Sequence, residues 1–301
     1  MPSPRTSSSA RVRRLRRWRA PAVWNGHDGL PERRDAVIAA VADQLGPWLM
    51  RYFGAEVRGT ERIPEGGVLF VGNHSGGLGS PDSFVFGYGL YLQRGMDAVP
   101  WGLAHQTAMD APVLGPLMRA LGGVKAGPGA GKRLLEAGRN VLVYPGGDVD
   151  SMRPSHMRHD MNFDGRKGYI RLAMAARRPI VPVVAAGGHS VFWLFGDMMP
   201  MLRAVGLDRR LRLKTFPMGF SIPWGFTPGP PPPYLPLPSR ILIEVLDPIY
   251  LPPQENPEIP DAKVVDEYDA LVQSRMREAL ARLVAERKKL GRAAIVDWFR
   301  R

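Results

Sequence analysis

Two side chains set the chemistry that this chain offers. An apolar, strand-like run, Val68-Leu69-Phe70-Val71, stops at Gly72-Asn73 and delivers His74 into the glycine-rich stretch Ser75-Gly76-Gly77-Leu78-Gly79. Asp82 follows just before another apolar run, Phe84 to Leu90, where an aspartate reads as a helix start. A buried strand thus points an imidazole at a loop, and a carboxylate returns on the next helix. Imidazole titrates near neutral pH, and a carboxylate on its second nitrogen fixes the tautomer and stabilises the cation. The pair reads as a general base, His74, oriented by Asp82. On these residues alone, a structural histidine in a glycine loop is the competing reading.

The elements that position such a pair follow from the pattern around it. Short strand-like runs at 57–64, 98–104, 141–144, 180–184 and 241–245 alternate with helical stretches at 112–121, 132–137 and 167–177. That alternation predicts an α/β fold with a mixed, partly parallel central sheet flanked by helices. An N-terminal helical segment precedes it and a C-terminal amphipathic helix over 261–290 follows. The N-terminal helix is expected within 31–53 with a break at Gly46-Pro47. Nine prolines within 217–238 exclude a central strand or helix there, and the segment reads as an apolar loop that covers the core or touches lipid. Residues 1–20 form a basic arm expected to be disordered, 21–54 a helical segment able to associate with a membrane, 55–250 the catalytic domain, and 251–301 the C-terminal helix and basic tail.

Three of these strands end in loops: His74 to Asp82, Pro145 to Arg153, and Gly187-Gly188. In open α/β sheets such ends converge on one crevice. Gly146 and Gly147 can bring backbone amides close to a ligand. Arg153, Arg158, Arg166 and Lys167 supply cations beside them. A base next to amide donors and cations suits acyl transfer onto a lipid hydroxyl, with the cations binding phosphate. His156, His159 and Asp160 read as a solvated loop, and no metal is expected.

Charge narrows the partners. The chain has 301 residues and a formal charge of +13, of which residues 1–20 carry seven arginines without an acid. Residues 275–301 hold nine Lys or Arg against three acids, so the body between the ends is close to neutral. This placement fits a globular unit held at an anionic membrane surface and makes nucleic acid the weaker candidate. The absence of cysteine excludes disulfides, thiolate metal sites and a cysteine nucleophile. No run is long and apolar enough for a spanning helix, and the start lacks a secretory pattern, so the expectation is a peripheral or monotopic protein on the cytoplasmic face.

At this point the residues resemble a known family. Asn73-His74-Ser75-Gly76-Gly77 with Asp82 resembles the first motif of the phospholipid/glycerol acyltransferases. Tyr144-Pro145-Gly146-Gly147 resembles the third motif of the branch that includes diacylglycerol and lysophospholipid acyltransferases. Gly165 to Ala173 and Ile180-Val181-Pro182-Val183 resemble the stretches that follow, and 103–124 matches the second region more loosely. The resemblance implies direct acyl transfer from acyl-CoA or acyl carrier protein, as co-substrate, to a hydroxyl of a glycerolipid or lysophospholipid. In it, His74 is the base and Asp82 orients it. Ser75, Gly76, Gly77, Pro145, Gly146, Gly147, Arg153, Arg166 and Lys167 bind substrate, and no cofactor is implied. Two departures stand out. The family places four residues between His and Asp, where this chain has Gly79 at that position and reaches Asp82 only after seven. Gly146 occupies the place of a glutamate found in phosphatidate-forming members, with Asp148 and Asp150 nearby to substitute. The readings that compete are a catalytically inactive basic membrane or nucleic-acid binding protein, and a hydrolase that uses the same histidine on water.

Overall fold

The computed structural model describes residues 33–291, apart from 113, 205, 207–215, 230–233 and 258–259. The basic arm, residues 21–32 and the apolar tip at 295–299 lie outside the described residues.

The central sheet has seven strands. In chain order they are β1 (Glu56–Arg58), β2 (Leu69–Gly72), β3 (Trp101–Ala104), β4 (Gly123–Lys125), β5 (Val141–Val143), β6 (Ile180–Ala186) and, after three strands described below, β10 (Leu242–Val245). Their order across the sheet is β1-β10-β6-β2-β5-β3-β4. The neighbours from β6 to β4 are all parallel, β10 runs antiparallel to β6, and β1 is parallel to β10. The fold is the mixed, mostly parallel α/β sheet expected from the alternation.

The centre of the sheet is buried on both faces, which explains why β2 and β6 are almost wholly apolar. Leu69 and Val71 of β2 join Ile180, Val184 and Ala186 of β6 in one core layer. Val68, Phe70, Val181, Val183 and Ala185 fill the other. Helices α5 (Pro128–Glu136), α7 (Gly168–Ala176) and the long α9 (Ala262–Leu290) cover the first layer. The second lies under α1 (Asp35–Tyr52) and α2 (Pro81–Arg94). Helix α9 starts where its capping signal stands: the Asp261 side chain accepts the Lys263 amide at 2.8 Å. Short helices α3 (Gln106–Asp110) and α4 (Leu114–Ala120) lie between β3 and β4, and α6 (Gly147–Ser151) follows β5.

Two expectations are corrected. Helix α1 is not broken at Gly46-Pro47 but runs through Pro47. Gly46 is buried against α2, where a Cβ would stand 2.2 Å from the Tyr88 ring, so packing holds the helix where propensity alone would end it. The proline-rich stretch is not only loop. Strands β7 (Trp193–Asp197), β8 (Pro217–Ser221) and β9 (Gly225–Pro228) form a separate antiparallel sheet, with α8 (Met199–Ala204) between the first two. Pro217 and Pro228 sit at strand ends and Pro223 in the turn, positions where a missing amide donor costs little.

Candidate active site

Strands β5, β2 and β6 are adjacent and parallel, so the loops after them emerge at one edge of the sheet. Asn73 ties two of them together: its side-chain amide donates to Ala185 O at 2.9 Å, and its carbonyl accepts the Ala185 amide at 2.8 Å. His74 comes next. Its ring stacks on Tyr144, from the end of β5, with centroids 4.5 Å apart and planes 16° from parallel.

The backbone of His74 is held from both sides. Its N–H donates to Asp150 Oδ2 at 2.6 Å, and its carbonyl accepts from Arg153 Nη1 at 2.9 Å. Asp150 and Arg153 are themselves a buried ion pair, 2.8 Å apart, and Asp150 also accepts the Asn162 amide at 3.0 Å. This corrects the reading of Arg153 as a substrate-binding cation. It is 5% exposed, and its guanidinium is also engaged by Met157 O at 3.1 Å. The Arg153 carbonyl in turn accepts from the buried His189 Nε2 at 2.6 Å. Asp150, fully buried, is likewise not a substitute for the missing glutamate.

Asp82 does not touch the imidazole. The glycine insert folds into a tight excursion, with Gly76 and Gly77 at φ +74° and +56°, which residues with a Cβ seldom adopt. It closes through the Ser80 amide on Gly76 O at 3.1 Å and places Asp82 in the first turn of α2, buried. There Asp82 accepts from Ser75 Oγ at 2.5 Å, from Ser80 Oγ at 2.9 Å and from the Ser83 amide at 3.0 Å. Ser80 Oγ also lies 3.5 Å from His74 Nδ1. The seven-residue spacing is therefore filled by a hydroxyl: the carboxylate holds Ser80, and Ser80 faces the ring. With Ser80 donating to Asp82, its oxygen is left to accept from Nδ1–H, which leaves the lone pair on Nε2. A second line of hydroxyls, Ser80 to Ser83 and Ser83 to Tyr144, each 2.6 Å, closes the network beneath the stacked ring.

Electrostatics keep the imidazole neutral. Burial, and then the Arg153 charge, lower His74 to about 4, with Asp148 pulling weakly the other way. Burial raises Asp82 to about 6 against the hydrogen bonds from Ser75 and Ser80 that lower it. His74 keeps partial exposure, so a neutral imidazole stands at the loop edge.

The other expected binding residues divide. Ser75 is buried and turned to Asp82 rather than outward. Gly76 presents its carbonyl to Tyr234 OH at 2.6 Å, and Gly77 lies against the Phe192 ring. Gly146 and Gly147 are needed for packing more than for ligand approach. A Cβ on Gly146 would stand 2.1 Å from Asn162 O, and the Gly147 amide already donates to Tyr144 O at 3.0 Å. Arg166 braces the Pro145 and Gly146 carbonyls at 3.3 and 3.1 Å, pairs with Asp148 and Asp164, and remains a third exposed. Lys167 is directed at α9, where it pairs with Asp266 at 2.8 Å. Sequence reasoning missed Ser80, Tyr144, His189 and Tyr234 as parts of the site, and gave Asp150 a different role, that of a stand-in for the glutamate. Only the repeated hydroxyls at 80 and 83 and the tyrosine that opens Tyr144-Pro145-Gly146-Gly147 left a signal.

Comparison with known proteins bears on the family and the fold. Residues 54–186 match the family described as Acyltransferase. An uncharacterized protein of Mycobacterium leprae is 27% identical over 240 residues, 79% of this chain, and the chain spans 62% of that protein's length. One from Mycobacterium tuberculosis is 27% identical over 253 residues, covering 84% of this chain and 68% of its own. A mouse protein, the DGAT1/2-independent enzyme synthesizing storage lipids, is 24% identical over 183 residues, 58% of this chain and 54% of its own. Among solved structures, the 1-acyl-sn-glycerophosphate acyltransferase PlsC of Thermotoga maritima shares the fold, with a TM-score of 0.50 at 17% identity, over 83% of this chain and 79% of that one. The stretch that matches the acyltransferase family, residues 54–186, holds the His74 loop, the Ser80–Asp82 turn and the Asp150–Arg153 clamp.

Proposed function

We propose that the protein is an O-acyltransferase that moves a fatty acyl group from a thioester, acyl-CoA or acyl carrier protein, to a hydroxyl of a glycerolipid or lysophospholipid at an anionic membrane surface. The observation that carries this reading is the neutral His74 ring, backed by Tyr144 and faced on Nδ1 by a hydroxyl that Asp82 holds. His74 Nε2 takes the proton of the acceptor hydroxyl as its oxygen forms a bond to the thioester carbonyl carbon. The tetrahedral oxyanion collapses, the C–S bond breaks, and the thiolate leaves with the proton returned by the imidazolium. The products are an ester and a free thiol, and no acyl-enzyme is formed. Arg166, braced at the Pro145-Gly146 turn and still partly exposed, is the cation that would meet a phosphate. Among the described residues no helix is long and apolar enough to cross a membrane.

The test is thiol release from acyl-CoA or acyl carrier protein over a panel of lysophospholipids, mono- and diacylglycerols, with mass spectrometry of the lipid. Release that requires an acceptor and yields an acylated lipid supports the proposal. Equal release without any acceptor supports a hydrolase instead. The rate also carries a signature in pH. Asp82 is raised, so it gains its proton as pH falls through about 6, while His74, lowered to about 4, is still neutral there. The carboxylate that holds Ser80 against Nδ1 is then neutralised before the base itself. Acceptor-dependent release is expected to fall across pH 6 in the native protein. Asp82→Asn is expected to be slower on the order of tenfold at pH 7.5 and to lose the limb near pH 6. An Asp82→Asn profile that still falls across pH 6 would show that Asp82 is not the titrating group.

A further inference from the structure

The face of the small β7–β8–β9 sheet turned away from the core is built of aromatic rings. Trp193, Phe220 and Phe226 are direct cross-strand partners, one per strand. Strand alternation puts Leu194, Gly219 and Ser221 inward, all buried, and leaves the aromatic row outward. Trp193 is 53% exposed, Phe220 40% and Phe226 60%, where an antiparallel sheet facing water ordinarily carries polar side chains. Phe195, 59% exposed, extends the row along β7.

The row continues beyond the sheet. Ile222, exposed, accepts the amide of exposed Leu235 at 2.7 Å, and the next carbonyl, Pro236 O, accepts Tyr52 OH at 2.6 Å. Tyr52 stacks on Trp48 of α1 with centroids 4.7 Å apart, and Trp48 is 52% exposed. One apolar strip therefore runs from α1 to the sheet. It is also joined to the His74 loop. Tyr234, next to Leu235, holds Gly76 O, and Phe192, next to Trp193, lies against Gly77 and 5.1 Å from the Tyr234 ring.

We propose that this strip, centred on Trp193, Phe220 and Phe226, is the surface that the protein lays on a lipid bilayer, with the rings at the boundary between headgroups and acyl chains. This rests on the reading of the acceptor as a membrane lipid and says which face meets it. Tryptophan and phenylalanine suit that boundary. The only carboxylate in the three strands, Asp197, ends β7 and accepts the Met199 and Phe216 amides at 2.8 and 2.9 Å. A chain of formal charge +13 is drawn to anionic lipid and repels a second copy of itself. Docking by this face would bring the Gly76-Gly77 loop and His74 toward the lipid.

The chain has no cysteine, so an introduced thiol is the sole site for a polarity-sensitive fluorophore. Phe226→Cys and, as a second position on the row, Phe195→Cys are labelled in the full chain. Ala281→Cys on α9, exposed and on the helix that covers the opposite face of the central sheet, is the reference. Each is titrated with vesicles of phosphatidylcholine containing about one third phosphatidylglycerol. The labels at 226 and 195 are expected to brighten and shift to the blue, with the label at 281 unchanged. Trp193→Ser/Phe220→Ser/Phe226→Ser, its fold checked by circular dichroism, is expected to bind these vesicles on the order of 100-fold more weakly. Silent labels on the row while the chain sediments with vesicles would overturn the assignment of this face. Brightening with protein concentration and no lipid would assign the face to a second copy and overturn the proposal. Acceptor-dependent thiol release on the same vesicles scores the catalytic reading separately. Release with silent row labels fails the face alone. Row labels that respond without release fail the catalytic reading alone.

Discussion

His74→Ala is expected to lower acceptor-dependent thiol release by about 10²- to 10⁴-fold, the range that a positioned general base contributes. The loss is expected in turnover rather than in folding. The backbone of residue 74, not its ring, makes the two bonds to Asp150 and Arg153, and alanine keeps both. Far-ultraviolet circular dichroism and the urea unfolding slope should therefore match the native protein. His74→Gln separates basicity from hydrogen bonding, since glutamine can face Ser80 but cannot take the proton. Its rate is expected to fall with that of alanine. A glutamine variant near native speed would assign the ring to packing on Tyr144.

Asp150→Ala is expected to be the most destabilising single change in the site. It leaves the Arg153 charge buried without its partner, and breaking a buried pair from one side costs about 3–5 kcal/mol. It also strips the acceptor from the His74 and Asn162 amides. The measurement is the urea midpoint at unchanged slope. Asp150→Asn, closer in shape, is the variant in which activity can be read. There the ring loses its fixed approach, and thiol release is expected to fall about 10²-fold in protein that is still folded. An Asp150→Ala midpoint close to that of the native protein would show that the clamp does not hold the loop.

The general architecture was legible because the strongest local signals were also the globally correct ones. Strands β2, β5 and β6 are short apolar runs that end in glycine or proline, and burial on both faces demands that composition. His74 stands at the end of the most central of them, so its placement needed only the strand. Asp82 was placed correctly at the start of a helix, but its partner was not. A spacing of seven residues says nothing of the positive-φ turn that inserts the Ser80 hydroxyl. Arg153 was misread for a related reason. A cation near a glycine pair looks the same in sequence whether it faces substrate or is buried on Asp150 and the His74 carbonyl. Tyr234 lies 158 residues from the carbonyl it holds, beyond any local pattern. The small sheet was hidden by its prolines, which stand at strand ends and in a turn and so disturb few ladder bonds. Gly46-Pro47 misled in the opposite direction, since contact with Tyr88 overrode a local helix-breaking signal.

The role given to His74 depends on its ring being uncharged at neutral pH while Nε2 stays open. Nuclear magnetic resonance of the protein carrying ¹³C-labelled histidine follows each ring through pH, and the His74→Ala spectrum identifies the resonance. The expected result is a ring that stays neutral from pH 7.5 down to pH 5 and titrates near 4. A His74 resonance that titrates at or above the ordinary value of about 6.5 would contradict it, since the ring would then carry its proton too readily for the neutral, Arg153-flanked base proposed for it.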